Sequence, residues 1–162
     1  MFTVKASVNE QFNIAAPVDA VRDFFSRIEN FAELMPGVAR AYRDASGVGH
    51  LTIEAAIPLV GKMTQQFAVE PAEETDDRIE WIPKKGEEEN LLRYSADFVP
   101  AGEGTAVQFS QAVELRRRKA RDLHFLAGMA GEAILSSKTT EEYVKMVKQF
   151  IVKARARLEG AE

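Results

Sequence analysis

Three polar side chains fall in phase with apolar neighbours, where they could meet a bound molecule. Glu10, Gln65 and Gln111 each stand between apolar residues two positions away on both sides. A buried polar group without a partner costs roughly 1–3 kcal/mol. Each of these residues therefore binds another polar group, water or a ligand, or its strand bulges and turns it towards solvent.

Acid–base chemistry would depend on few titratable groups. Glu10, Tyr94 and Tyr143 are the plausible inward-facing ones, and a general acid or base must reach the substrate's proton. His50 alternates out of phase with its apolar neighbours and should face solvent, and His124 is expected to be a packed or surface residue. Two isolated histidines make neither a metal site nor a triad. We expect no catalytic residue, metal or cofactor, which favours a binding protein over an enzyme.

Most of these residues lie in segments that alternate between apolar and polar positions, the pattern of half-buried strands. Short turns rich in Gly, Pro and Asp separate the segments, which predicts an antiparallel meander. The predicted strands cover Phe2 to Ile14, Val38 to Arg43, Leu51 to Ile57, Met63 to Val69, Ile79 to Trp81, Leu92 to Phe98, and Val107 to Leu115.

Two helical regions flank this meander. Pro17 suits a helix start, apolar residues follow at helical spacing, and Met35-Pro36 should end the short helical pair. Near the C-terminus, Thr139 to Glu142 resembles a capping box with Thr139 as N-cap. An apolar stripe then continues for roughly four turns. The chain is therefore expected to be one α+β domain over residues 1–162, with seven antiparallel strands curved around a long C-terminal helix.

The composition limits the class of protein. The chain has no cysteine, which excludes disulfides, thiolate zinc sites and a cysteine nucleophile. Residues 1–113 carry 10 Lys/Arg against 18 Asp/Glu, a net of −8, whereas residues 114–162 carry 11 against 7, a net of +4. An acidic body argues against nucleic-acid binding. No signal-peptide pattern or apolar stretch of about 20 residues is present, so we expect a cytoplasmic location.

A basic run follows the last predicted strand and has two interpretations. Its charges could simply solvate the end of the strand, or they could contact an anionic membrane or an acidic protein at about 1 kcal/mol per residue near a charged membrane. The run consists of Arg116, Arg117, Arg118, Lys119 and Arg121.

The opening of the chain resembles a known superfamily. Ala16 to Val21, then Phe24-Phe25, then Met35 to Val38 are similar to the start of START/Bet v 1-like (SRPBCC) proteins. Within this superfamily, the sequence looks closest to the branch of polyketide cyclase/dehydrase-like proteins and relatives of the G-type accessory protein of carbon monoxide dehydrogenase. The resemblance implies a helix-grip fold with a cavity between the sheet and the last helix.

Three functions follow from this resemblance. The first is binding or transport of a small apolar ligand, such as a lipid, quinone or polyketide-like molecule, in the cavity. The second is a cyclase or dehydrase on the same fold, and the third is an assembly or membrane-recruitment factor for a larger enzyme. The candidate ligand-binding residues are Glu10, Phe12, Gln65, Phe67, Trp81, Tyr94, Phe98, Phe109, Gln111, Tyr143, Val147, Phe150 and Ile151.

Overall fold

The computed structural model describes residues 1–160. It contains one seven-stranded antiparallel sheet with the strand order β1-β7-β6-β5-β4-β3-β2, and a long helix lies against it, as the sequence predicted. The strands are β1 (Phe2–Ile14), β2 (Val38–Arg43), β3 (Gly49–Ile57), β4 (Gly61–Glu74), β5 (Arg78–Pro83), β6 (Asn90–Ala101) and β7 (Gly104–Arg117). The helices are α1 (Val18–Ser26), α2 (Glu29–Leu34), α3 (Ala120–Leu123), α4 (Ala127–Ala130) and α5 (Glu132–Leu158).

The first and last strands are neighbours in the sheet. β1 pairs with β7 along its whole length, from Phe2 opposite Arg117 to Ile14 opposite Thr105. Because β2 lies at the other edge of the sheet, α1 and α2 must carry the chain from one edge to the other. β4 has a register shift between Pro71 and Glu73, and such bulges bend a strand.

Aromatic side chains fill the core between the helices and the sheet. The ring of Phe150 from α5 lies 4.9 Å from that of Phe31, 6.1 Å from that of Phe24 and 6.3 Å from that of Phe109, measured between centroids. These rings come from α1, α2, α5 and β7. The cluster therefore fixes α5 to the sheet at the middle of its apolar stripe.

The long helix begins earlier than the capping-box pattern predicted. α5 starts at Glu132 after Gly131, whose φ of 86° ends α4, so Thr139 lies inside the helix and is not its N-cap. A Glu132 carboxylate oxygen accepts a hydrogen bond from the backbone N–H of Thr3 at 3.0 Å, and Leu135 is fully buried. Tertiary contacts of the first two turns thus override the local capping signal.

Gly37 makes the turn from α2 into β2 where no other residue would fit without strain. Its φ is 93°. A Cβ atom there would lie 2.7 Å from Cε of Met146 and 2.8 Å from the carbonyl oxygen of Glu54. Within residues 1–160, no helix has the length and apolar character that crossing a bilayer requires.

Candidate ligand-binding cavity

A small cavity lies between α5 and the inner face of β3, β4 and β7. Its volume is about 50 Å³, room for a few water molecules. Among the lining residues, Ala55, Gln65, Thr139 and Glu142 are partly exposed, so they mark the side nearest to solvent. The buried lining residues are Ile53, Ile57, Met63, Phe67, Val113, Leu115, Tyr143 and Met146.

The hydroxyl group of Tyr143 is the unusual polar group of this cavity. Tyr143 is 4% exposed, and its hydroxyl oxygen has no hydrogen-bond partner among the described residues. Burial raises the pKa of Tyr143 well above its ordinary value, because a buried phenolate would lose its hydration. The phenol therefore stays protonated near neutral pH and can donate a hydrogen bond to a molecule in the cavity.

Gln65 at the cavity rim is held by a polar network. Its Oε1 accepts hydrogen bonds from Nδ2 of Asn90 at 3.1 Å and from Nη2 of Arg117 at 3.1 Å. Arg117 also donates to Oδ1 of Asn90 at 2.9 Å and to the carbonyl oxygen of Glu89 at 3.2 Å. The network leaves the Gln65 amide as a donor beside the cavity.

A second, much smaller void lies further along the same face of the sheet. Its volume is about 10 Å³, and its lining includes Trp81, Tyr94 and Gln111. Oε1 of Gln111 is buried without a hydrogen-bond partner among the described residues. The Tyr94 hydroxyl instead donates to the carbonyl oxygen of Phe25 at 2.8 Å, and burial raises the pKa of Tyr94.

The candidate residues from the sequence separate into four groups. Gln65, Phe67 and Tyr143 line the larger cavity, and Trp81, Tyr94 and Gln111 line the smaller void. Glu10 and Phe12 are partly exposed and line neither. The remaining candidates are buried in the core and also line neither cavity; they are Phe98, Phe109, Val147, Phe150 and Ile151.

Most cavity-lining residues were not singled out by the sequence analysis, although two signals could have found them. The strand residues Ile53, Ala55 and Ile57 alternate along β3, so they share one face. Thr139, Tyr143 and Met146 follow one another at helical spacings of four and three. This second signal was lost because Thr139 was interpreted as the helix cap.

Other polar clusters of the protein stabilise turns and strand ends. Asp44 accepts hydrogen bonds from the backbone N–H groups of Ser46 and Val48 and lies 2.8 Å from Nε2 of His50. These contacts close the turn between β2 and β3, with His50 partly exposed on the outer face. Within the described part of the chain, no three potential metal ligands cluster.

Three wider hollows, of about 350 to 480 Å³, occur elsewhere. Their linings consist mainly of polar or exposed side chains, such as Lys5, Arg116 and Gln108. The small cavity under α5 combines apolar walls with a buried unpartnered hydroxyl, which is the usual composition of a ligand site. We therefore take it as the candidate site.

Comparison with known proteins supports the fold but not a family assignment. No protein-family model matches the chain, and no curated protein matches it. A START superfamily protein from Mycobacterium smegmatis has a TM-score of 0.62 at 15% identity, covering 96% of this chain and 99% of its own. The Zhui aromatase/cyclase from Streptomyces sp. R1128 has a TM-score of 0.62 at 13% identity, covering 97% and 98%.

A longer protein shares the same fold. The di-domain ARO/CYC BexL from the BE-7585A biosynthetic pathway has a TM-score of 0.62 at 18% identity, over 96% of this chain. The chain spans about half of the length of that protein, 50%, and of the related di-domain StfQ, 51%. These likenesses, together with the curled sheet and long helix, show that the chain has the START/Bet v 1-like helix-grip fold.

Proposed function

We propose that this protein binds a small apolar molecule carrying one hydrogen-bond-accepting group, in the cavity between the sheet and α5. The observation that carries the proposal is the Tyr143 hydroxyl, a buried donor without a partner among the described residues in an otherwise apolar cavity. An unsatisfied buried polar group costs about 1–3 kcal/mol. A ligand carbonyl or hydroxyl oxygen that accepts from Tyr143 would remove that cost while burying apolar surface.

The cavity must enlarge to take such a ligand. Its volume of about 50 Å³ is far below the roughly 300–1,000 Å³ of typical ligand sites. Met63 and Met146 stand in its wall, and methionine side chains repack readily because they are unbranched and flexible. We infer that these two side chains change rotamer on binding and that α5 moves away from the strands.

The cyclase or dehydrase alternative receives less support. Of the three titratable candidates Glu10, Tyr94 and Tyr143, only Tyr143 lines the cavity. Its raised pKa suits a hydrogen-bond donor or a weak general acid, but not a base near neutral pH. Structural neighbours named as aromatase/cyclases share the fold, and at 13–18% identity that likeness carries no catalytic residue over.

The test is a binding titration with a fatty acid, a short-chain quinone and a polycyclic aromatic quinone, combined with native mass spectrometry of the purified protein. At least one probe is expected to bind, and Tyr143→Phe should weaken it by about 2- to 12-fold, the value of one hydrogen bond. The variant should keep or raise the melting temperature, because the substitution removes an unpartnered hydroxyl.

Tyr94→Phe is the matched control, since its hydroxyl is equally buried but already bonded to Phe25. It should lower stability, because the Phe25 carbonyl loses its donor, and leave probe affinity unchanged. Absence of any bound molecule and of any probe binding would overturn the proposal. Equal affinity losses in both variants would also overturn it, because the effect would then be general and not specific to the cavity.

A further inference from the structure

The segment that links β7 to α5 exposes two large apolar side chains. Phe125 is 77% exposed and Met129 is 86% exposed, although both lie in an ordered stretch with α3 and α4. The backbone N–H of Leu126 donates to Nδ1 of His124 at 3.1 Å, and the His124 ring stacks on Phe125 with centroids 4.7 Å apart. These contacts hold Phe125 outward, which a residue without a binding role does not require.

The same segment carries a local positive charge. Arg118, Lys119 and Arg121 are exposed, and residues 118–131 include one acidic residue, Asp122. The Asp122 carboxylate accepts a hydrogen bond from the backbone N–H of Lys119 at 3.2 Å. Basic and apolar side chains are thus exposed together on one linking segment.

Two members of the basic run are engaged elsewhere. Arg116 forms an ion pair with Glu114, and Arg117 is bound in the network with Gln65 and Asn90. Both donate to the Glu89 carbonyl oxygen, Arg116 through its backbone N–H and Arg117 through its guanidinium. The available positive charge therefore lies on residues 118–121, next to Phe125 and Met129.

We propose that this linking segment, residues 118–131, docks on an anionic lipid surface. Phe125 and Met129 would enter the boundary between headgroups and acyl chains, while Arg118, Lys119 and Arg121 contact lipid phosphates. Exposed apolar side chains flanked by basic ones are the combination that binds at membrane interfaces. An acidic protein would satisfy the charges but would bury the two apolar side chains only if it offered pockets for both.

The docking segment lies beside the candidate cavity. It joins β7, which carries the lining residues Val113 and Leu115, to α5, which carries Thr139 and Tyr143. An apolar ligand in the lipid would therefore meet the two elements between which it is proposed to bind. The docking itself does not depend on the ligand, so it can be tested separately from the proposed function.

The experiment measures co-sedimentation of the full chain with phosphatidylcholine vesicles, with and without phosphatidylserine. Two variants remove the two halves of the surface: F125S/M129S removes the apolar half, and R118S/K119S/R121S removes the charged half. Matched controls are V99S/V152S, which removes exposed apolar side chains elsewhere, and R27S/K148S/K153S, which removes three exposed basic ones. All variants are compared by thermal melting to confirm that they fold.

We expect binding to vesicles that contain phosphatidylserine, weakening as salt is raised because surface charges are screened over about 8–10 Å. Each segment variant should lose at least about tenfold in partitioning, and the controls should retain it. In F125W, emission should shift to the blue with these vesicles. The natural Trp81, 1% exposed in the core, should make the wild-type emission insensitive to them.

Three results would overturn the proposal. The first is absence of wild-type binding to phosphatidylserine vesicles at low salt. The second is an equal loss in the segment variants and their controls, which would indicate unspecific charge attraction. The third is binding to polyglutamate as strong as to vesicles, with F125S/M129S unaffected; that result would identify an acidic protein surface as the partner.

Discussion

Nη2 of Arg117 donates a hydrogen bond to Oε1 of Gln65 at 3.1 Å, which ties the end of β7 to the rim of the candidate cavity. Asn90 donates to the same oxygen at 3.1 Å and accepts from Arg117 at 2.9 Å. Three side chains from β4, β6 and β7 thus form one closed polar network. It fixes the orientation of the only amide side chain that lines the larger cavity among the described residues.

Arg117→Ala should disrupt this network. The change leaves Asn90 and the Glu89 carbonyl short of a donor, so we expect a loss of about 1–3 kcal/mol in the free energy of unfolding, measured by urea denaturation. Probe affinity should fall as well, because Gln65 is no longer fixed at the rim. Arg118→Ala, at an exposed neighbouring position, should change neither quantity, and equal effects of both variants would contradict the network's role.

The sequence predicted the sheet and the helical pair well because each strand keeps a strict alternation and each turn contains Gly, Pro or Asp. It misplaced the start of α5, since the capping-box pattern at Thr139 is local whereas the real start depends on Glu132 and Leu135 contacting distant parts of the chain. Which apolar residues line a cavity was also beyond the pattern. Phe67 and Phe109 have the same phase and burial, yet only Phe67 borders the larger void.

Phe150→Ala tests the solid part of the interior. Phe150 is fully buried among four aromatic rings and lines neither cavity. We expect a loss of about 3–5 kcal/mol, a large part of a typical stability of about 5–15 kcal/mol, with unchanged probe affinity in the folded fraction. Val152→Ala, 64% exposed on the same helix, should stay within about 0.5 kcal/mol. A small stability loss with a large affinity change would instead place Phe150 in the binding site.

Gln111→Met should stabilise the ligand-free protein. Oε1 of Gln111 is buried without a partner among residues 1–160, so replacing the amide by an apolar chain of similar length removes a cost of about 1–3 kcal/mol. Thermal melting measures the gain, and Gln66→Met at an exposed position of β4 provides the reference. A lower melting temperature for Gln111→Met would mean that the amide is satisfied, for example by a water molecule in the small void.

Stability should also depend on the Asp44 carboxylate in acid. Hydrogen bonds from His50 and then Ser46 hold the pKa of Asp44 far below its ordinary value. A lowered pKa in the folded state stabilises the protein above the unfolded-state pKa of about 4, and this contribution is lost as the pH falls below it. The melting temperatures of wild type and Asp44→Asn should therefore differ near pH 7 and converge below about pH 4. A difference that is constant with pH would exclude the carboxylate charge as its source.

Ala55→Val should separate stability from binding. Ala55 lies on β3 opposite Met63, and both line the cavity. The added methyl groups fill part of the void, and cavity filling commonly gains about 0.5–2 kcal/mol. Ala56→Val, on the exposed face of the same strand, matches the gain in strand propensity without entering the cavity. We expect Ala55→Val to melt higher than Ala56→Val while binding the probe at least about tenfold more weakly, since overpacking opposes the enlargement that a ligand needs. Raised stability with unchanged affinity would show that the ligand binds somewhere other than under α5.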